Sequence, residues 1–515
     1  MIGSFSPDRN VNQSSSGICP ILFFCDSYII SVPFTIENIV LHHNVYLPAE
    51  FLRVIEQILP SSLHMDDFVS ACQRPLRKSI RVNTLKISVH DFCNRAENLG
   101  WKLEPVPWCN CGFWIDTQDS RTPLGNTLEH MSGLFYIQEA SSMMPVTALF
   151  HQQDKTFDTV LDMAAAPGSK TTQIAALMNN EGLVVANEFS ASRTKALYSN
   201  IERCGVRNSA LTTFDGRVFG NWLPESFDAV LIDAPCSGEG TVRKDPDAMK
   251  NWSQESIAAI TITQKALIES AFQALKPGGV MVYSTCTLSR EENQHVCQHL
   301  KNTYGDAVTF ESLESLFPAA KEAITEEGFL HIFPQIYDCE GFFVARIRKN
   351  SAVPSGVVKK RLGKFPFTKA TATQTSEISR ALKDSLDIEF PSGSQLWLRD
   401  REIWLFPDVL TSFIGEFKFS RMGIKVAESH KKGYRWQHQV VTSLTTGHEQ
   451  AFVELSLEQA REWFMGKDIR PEEVSPSKGD VLIRYQNITI GLGKWVGNRL
   501  KNGLPRELVR DGNLF

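Results

Sequence analysis

The chain has 515 residues, 42% hydrophobic, 22% charged and 10% aromatic, with a formal net charge of −5. At ~100–200 residues per domain such a length suits about three to four domains, and the balance excludes a disordered, collagen-like or disulfide-stapled chain. No overall basic field marks a nucleic-acid partner, so any such partner must be held by local patches.

The cysteines are sparse and none lies beyond Cys339, which reads as reduced thiols in a cytoplasmic protein. Cys109 and Cys111 form the one close pair, without a second pair or a histidine at zinc spacing, so no metal is expected. No apolar run reaches the ~18 residues of a membrane span. Ile18 to Phe34 comes nearest, is interrupted by Pro20, Asp26, Ser27 and Pro33, and lacks the basic leader of a signal peptide.

Residues 1–39 open Ser/Asn-rich and show neither helical nor strand period, so they are expected to be an extension outside the fold. Leu47 to Ile58 carries helical spacing and stops at Pro60. Ser79–Leu85 and Gly133–Ile137 read as extended and Val89–Leu99 as a helix ending at Gly100, giving a small α+β module over 40–145. Over 146–349 strands and helices alternate. The strands are expected at Thr159–Asp162, Gly182–Asn187, Ala210–Thr213, Phe227–Ile232, Gly279–Ser284 and Gly341–Ile347. A long helix from Ser253 to Leu275 stops at Lys276-Pro277-Gly278-Gly279. Apolar strands alternating with such helices imply an α/β, doubly wound and mostly parallel sheet covered on both faces.

Residues 342–376 hold Arg346, Arg348, Lys349, Lys359, Lys360, Arg361, Lys364 and Lys369 and no acid. Over 350–384 this reads as a basic linker, with a phosphate-tracking role as the rival reading. Residues 385–515 are rich in aromatics and short strands. Their end, Gly491-Leu-Gly-Lys-Trp-Val-Gly-Asn-Arg-Leu-Lys-Asn502, interleaves cations with a tryptophan and turn glycines, which suits a β-rich nucleic-acid-binding module.

The strand ending at Asp162 runs into Met163-Ala164-Ala165-Ala166-Pro167-Gly168-Ser169-Lys170, with a helix expected from Gln173 to Met178. Small residues at such a turn admit a ligand to the backbone and to free N–H groups. A P-loop is excluded because Ser169 separates Gly168 from Lys170 and Met163 replaces the first glycine; the three spaced glycines of a dinucleotide fingerprint are also missing. A nucleoside ligand without pyrophosphate remains, and S-adenosylmethionine fits. Glu188 closes the second strand, where a carboxylate takes ribose hydroxyls, and Asp215 ends the third, where it could meet the adenine amino group.

Two cysteines stand beyond strand ends, in Asp233-Ala-Pro-Cys236-Ser-Gly238 and Ser284-Thr-Cys286-Thr287. A thiolate adding to carbon 6 of a pyrimidine makes carbon 5 nucleophilic toward a sulfonium methyl, and Asp233 is placed to take up charge at ring nitrogen 3. Asp-Ala-Pro-Cys also contradicts an amino-methylating site, which would show Asn/Asp-Pro-Pro-Tyr/Phe there.

Together with Arg74-Pro-Leu-Arg77-Lys78-Ser-Ile-Arg81-Val-Asn-Thr84 and Tyr136-Ile-Gln-Glu-Ala-Ser141, these motifs resemble the RNA cytosine-C5 methyltransferases of the Nop2/Sun family over residues 70–347. The resemblance implies a Rossmann-like methyltransferase core and Cys286 as nucleophile. It further implies Cys236 assisting product release, Asp233 contacting cytosine and bordering the cofactor pocket, and Ala164 to Lys170, Glu188 and Asp215 holding S-adenosylmethionine. The short module before the core and the PUA-like end are similar to the bacterial RsmF (YebU) group. That implies a monomer acting on one cytosine in the decoding region of 16S rRNA in the small ribosomal subunit. Arg74, Arg77, Lys78 and Arg81 could line the RNA path. A tRNA methyltransferase and a non-catalytic ribosome assembly factor are the competing readings; intact Cys236, Cys286 and Asp233 speak against the second.

Overall fold

The computed structural model describes residues 45–117, 122–153, 156–356, 358, 362–471 and 479–515. The extension expected at 1–39 and the cations Lys359, Lys360 and Arg361 lie outside the described residues.

Four strands form the first sheet: β1 (Ser79–Val82), β2 (Lys102–Pro105), β3 (Gly112–Asp116) and β4 (Phe135–Ile137), in the order β2-β3-β1-β4 with antiparallel neighbours. The helix Val89–Asn98 starts where the Ser88 hydroxyl accepts the Asp91 N–H, and lays Phe92 and Ala96 on Ile80, Val82 and Phe135. Arg81, which alternation left open as an RNA-path cation, is 1% exposed. It donates to Gln138, Thr172 and the Ser169 carbonyl, so it joins this module to the helix after the small-residue loop rather than facing RNA.

The central sheet contains β5 (Thr159–Asp162), β6 (Leu183–Asn187), β7 (Ser209–Thr212), β8 (Phe227–Asp233), β9 (Leu275–Thr285), β10 (Val308–Glu311), β11 (Leu330–Ile332) and β12 (Phe342–Lys349). Its order is β10-β12-β9-β8-β5-β6-β7, with β11 beside β12. The strands β5 to β9 pair in parallel. Their apolar residues, such as Val160, Leu161, Val184, Val185, Val230 and Leu231, are fully buried, as a sheet covered on both faces requires. β12 runs antiparallel to β9, which leaves the sheet mostly parallel as expected. β9 begins at Leu275, earlier than expected, because Phe227 pairs Leu275 across a bulge; the Lys-Pro-Gly-Gly segment belongs to the strand.

The third sheet comprises β13 (Thr368–Lys369), β14 (Ser394–Arg399), β15 (Glu402–Pro407), β17 (Ile424–His430) and β18 (Gly433–Trp436). β16 (Arg421–Met422) instead leaves this region and pairs antiparallel with β7, as an added edge of the central sheet. Around it Phe417 contacts Phe214, Phe219 and Trp222, and Phe413 stacks on Phe227. The helix Ala372–Leu386 begins inside the stretch read as a linker and runs two residues past its end. Its Ile378, Leu382 and Leu386 are buried in the core of the third sheet, so those residues are folded structure. The last sheet holds β19 (Phe452–Glu454), β20 (Gly479–Tyr485), β21 (Ile488–Val496) and β22 (Arg499–Asn502). Gly491 and Gly493, read as turn glycines, lie inside β21: a Cβ at Gly491 would meet the Trp463 ring at 2.7 Å. Trp495 is 6% exposed and packs in this core rather than offering a face to a base.

Among the described residues no helix is long and apolar enough to cross a membrane. Phe417 is 5% exposed at the centre of the aromatic cluster that fastens residues 408–422 to the central sheet. Phe417→Ala should therefore destabilise the protein by about 3–4 kcal/mol, read as a lowered unfolding midpoint in chemical denaturation.

Candidate functional site

β5 ends at Asp162, whose carboxylate is fully buried; Oδ2 accepts the Thr171 hydroxyl at 2.6 Å, while Oδ1 has no hydrogen-bond partner among the described residues. Burial pushes this carboxyl up to about 7. The chain turns through Ala164, Ala165, Ala166 and Pro167 to Gly168, which at φ 107° caps the helix Ser169–Leu177. That helix begins four residues before the expected Gln173, because the left-handed turn at Gly168 lets Ser169 enter it directly. A Cβ at Gly168 would approach Leu197 to 3.1 Å, so the loop lies close under the next helix.

Glu188 follows β6 and is 3% exposed. Its oxygens accept the N–H groups of Ala166 (3.3 Å) and Ser190 (2.8 Å), and Arg193 stands 3.5 Å away. Asp215 does not end a strand: β7 stops at Thr212, and Asp215 caps the short turn Gly216–Val218. Both its oxygens bond Arg217, which holds the carboxyl below its usual range. Phe189, absent from the sequence reading, lies 73% exposed beside Glu188. The unpartnered Oδ1 of Asp162, the buried Glu188 carboxylate and the sterically tight Gly168 fit a nucleoside-sized ligand carrying hydroxyls and positive charge.

The two cysteines arrive from neighbouring parallel strands. Asp233 ends β8 opposite Ser284 of β9, Cys236 lies three residues beyond and Cys286 directly follows β9. Their sulfurs are 3.3 Å apart, and both residues are partly exposed. The neighbouring Cys286 sulfur, with burial, pushes the Cys236 thiol well up. Lys170, expected in the ligand loop, extends its side chain to this centre: its Nζ donates to Asp233 Oδ2 at 2.7 Å and to Ser142 Oγ at 2.8 Å. Asp233 Oδ1 takes the Ser284 hydroxyl.

Two buried glutamates brace the cysteine loops. Glu292 accepts from the N–H and hydroxyl of Ser237 and from Gln264, while Glu239 accepts from Trp252, Thr287 and the Leu288 N–H. Glu292 had a visible signal in the polar run Ser289-Arg-Glu-Glu-Asn293 after the strand; Glu239 and Ser142 had none.

The expected basic run divides. Arg346 and Arg348 pair with Glu311, and Lys349 is buried on the Leu275 carbonyl and Glu225, so these three stabilise β12 and are not free for phosphates. Of the N-terminal cations, Arg77 pairs Glu104 over the Trp114 ring, Arg74 lies 3.8 Å from Asp338, and Lys78 is exposed. The exposed Lys364, Lys418, Lys432, Arg435, Lys494 and Lys501 instead line a cleft of about 1630 Å³, which Tyr198 and Glu202 also border. Lys494 and Lys501 face each other across β21 and β22.

Because the folded Asp162 carboxyl is raised, its contribution to stability is complete below the unfolded value near 4 and is lost as pH rises through about 7. Asp162→Asn stays neutral throughout. The stability of the wild type relative to this variant should therefore fall by about 4 kcal/mol between pH 4 and 8, measured by urea unfolding.

Residues 147–348 match the family model of 16S rRNA methyltransferase RsmB/F. Residues 47–140, 367–444 and 450–510 match the N-terminal, pre-PUA and PUA domains described for methyltransferase RsmF. The ribosomal RNA small subunit methyltransferase F of Vibrio parahaemolyticus is 69% identical over 479 residues, covering 92% of this chain and 100% of that one. Its counterpart in Aliivibrio salmonicida is 61% identical over 476 residues, again covering 92% and 100%. The crystal structure of PH0851 superposes with a TM-score of 0.53 at 28% identity, covering 59% of this chain and 66% of that chain. NSun6 from Pyrococcus horikoshii with SFG shares the fold, with a TM-score of 0.52 at 24% identity over 59% and 98% of the two chains. With a Rossmann-like core, a preceding α+β module and a PUA end, this chain belongs to the RsmB/F family of 16S rRNA methyltransferases.

Proposed function

We propose that this methyltransferase places a methyl group on carbon 5 of one cytosine in the decoding region of 16S rRNA, in the assembled small subunit. The observation that carries this reading is the pair of sulfurs 3.3 Å apart at the ends of adjacent strands, beside Asp233. Methylation of an exocyclic amine has no use for either thiol, whereas carbon 5 must first be made nucleophilic.

Ala164 to Lys170, Glu188 and Asp215 would hold S-adenosylmethionine, with Phe189 against its base and Asp233 at the pocket's border. When bound, the cofactor supplies an electrophilic methyl group. Cys286 loses its thiol proton to solvent and Sγ bonds to carbon 6, the C5–C6 π pair moving onto carbon 5, while the Lys170–Asp233 pair offers a hydrogen bond toward nitrogen 3. After methylation the carbon 5 proton passes to water, the C–H electron pair restores the ring double bond and the Sγ–C6 pair returns to sulfur as the thiolate; Cys236 assists this release. The target base must leave any duplex it occupies to bring carbon 6 to the Cys286 sulfur.

RNA phosphates would follow the cleft lined by Lys364, Lys418, Lys432, Arg435 and Lys501. Replacing these five by Gln should weaken binding to RNAs of any sequence and flatten the salt dependence of log K by up to about five phosphate contacts' worth of slope. Filter binding from low to high salt measures this, and an unchanged slope would remove the cleft from the RNA path.

Labelled S-adenosylmethionine offered with small subunits, free 16S rRNA or tRNA, followed by nucleotide mapping, tests the substrate. Label at a tRNA cytosine alone would overturn the ribosomal reading. Cys286→Ala should abolish turnover without adduct, whereas Cys236→Ala should accumulate a denaturation-resistant protein–RNA complex. An adduct seen only with Cys286→Ala would exchange the two roles.

A further inference from the structure

The two sulfurs at the strand ends are placed for a reaction with each other as well as with a base. They lie 3.3 Å apart, and a disulfide bond is about 2.0 Å long, so they need to close by only about 1.3 Å. The backbone around them is already tied. The Ala234 N–H donates to the Ser284 carbonyl and the Gly240 N–H to the Cys286 carbonyl, both at 2.9 Å. The loop carrying Cys236 is thereby fastened to the Cys286 strand on either side. Neighbouring strands run about 4.8 Å apart, within the Cα spacing of about 4.4–6.8 Å that a disulfide accepts. Beside the cysteines a pair of hydroxyls crosses the same gap, Ser237 Oγ meeting Thr287 Oγ1 at 2.8 Å.

Access separates this pair from other thiols. Cys236 and Cys286 are both partly exposed, whereas Cys72, Cys204, Cys297 and Cys339 are buried. Another close pair, Cys109 and Cys111, has sulfurs 3.7 Å apart, but Cys109 is buried and a bridge there would close a strained ring over the single residue Asn110. The neighbouring Cys286 sulfur, burial and Glu292 hold the proton on Cys236. Cys286, the nucleophile of the methyl-transfer reading, is therefore the sulfur that meets an oxidant first.

We propose that Cys236 and Cys286 form a site of reversible oxidation, at which a hydroperoxide converts the two thiols to a disulfide and shuts off methyl transfer. The Cys286 thiolate attacks one peroxide oxygen: the S–O bond forms, the O–O bond breaks, and the leaving hydroxide takes a proton from solvent. The Cys236 sulfur then attacks the Cys286 sulfur. The S–S bond forms, the S–O bond breaks, and hydroxide leaves with the Cys236 proton as water. Two thiols and one hydrogen peroxide thus give one disulfide and two waters, the sulfurs losing the two electrons that the peroxide gains. A thiolate without such a neighbour passes on to sulfinic acid, which ordinary thiols do not reduce. Cys236, besides assisting product release, therefore protects the nucleophile. The disulfide takes up the sulfur that carbon 6 needs and draws no atom from the loop Ala164–Gly168, so binding of the methyl donor is spared.

The shut-off rests on the methyl-transfer reading, whereas formation of the disulfide does not, and the test separates the two. The full-length protein is reduced, freed of reductant, treated with hydrogen peroxide and digested without reducing agent, and its cysteine peptides are read by mass spectrometry. Label transfer from S-adenosylmethionine to small subunits is followed on the same samples. The peptide joining Cys236 to Cys286 should appear as transfer falls about tenfold, and dithiothreitol should restore transfer to within about twofold. Binding of S-adenosylmethionine, measured by equilibrium dialysis, should persist throughout. Cys236→Ser given the same peroxide should carry sulfinic acid on Cys286 that dithiothreitol does not reverse. Cys109→Ser should respond to peroxide and to dithiothreitol as wild type does. Transfer lost without the linked peptide, or a loss that Cys109→Ser prevents, would sink the proposal. If reduced wild type transfers no label, the methyl-transfer reading fails, and the linked peptide alone still decides whether the pair is oxidised.

Discussion

The ion pair between Lys170 and Asp233 ties together parts of the chain that arrive from four directions. Lys170 comes from the helix after the ligand loop, Asp233 from the end of β8, Ser284 from β9 and Ser142 from the segment between the N-terminal module and the core. A partly buried pair of this kind contributes little net stability, because desolvation offsets most of the attraction. Its value is positional: removing either partner leaves an uncompensated charge where the ligand loop and the cysteine strands meet. The loop that would grip a methyl donor and the carboxylate that would meet a base are thereby kept in one register.

The parallel strands also explain why two distant cysteines converge. β8 and β9 are neighbours, so residues just beyond their carboxyl ends emerge side by side. Glu239 and Glu292 then accept hydrogen bonds from both loops and hold the sulfur atoms at contact distance. Burying two carboxylates there is tolerated because each accepts several donors.

Much of the core was legible from local pattern. Thr159–Asp162 read directly as a strand, since its apolar run stops at a chemically distinct loop. Cys236, Cys286, Asp233 and Glu188 stood out because they follow strand ends. What could not be read are properties that depend on distant partners. Arg81 looks like a surface cation until Gln138 and Thr172 are seen around it, and Arg346 and Lys349 look free until β10 and Glu225 supply their counter-charges. The position of Asp215 was misjudged for a local reason: β7 stops at Thr212, and the carboxylate caps the turn that follows and bonds Arg217. Gly491 has turn chemistry in sequence, yet its role is to let Trp463 lie against a strand. Lys170 was read as part of the loop but lies in the first turn of the helix after it, and its direction, toward Asp233, is a tertiary fact.

The antiparallel contact of β16 with β7 has a bearing on how this protein can be divided. A polypeptide ended at Lys349 would leave the outer rim of β7 with unsatisfied backbone groups, and would bare Phe214, Phe219 and Trp222 to water. Open rims of that kind recruit strands from other molecules. The methylating half is accordingly not a self-sufficient module to which an RNA-gripping half was appended. Part of the cover over its edge strand and aromatic side chains comes from the sequence that follows it.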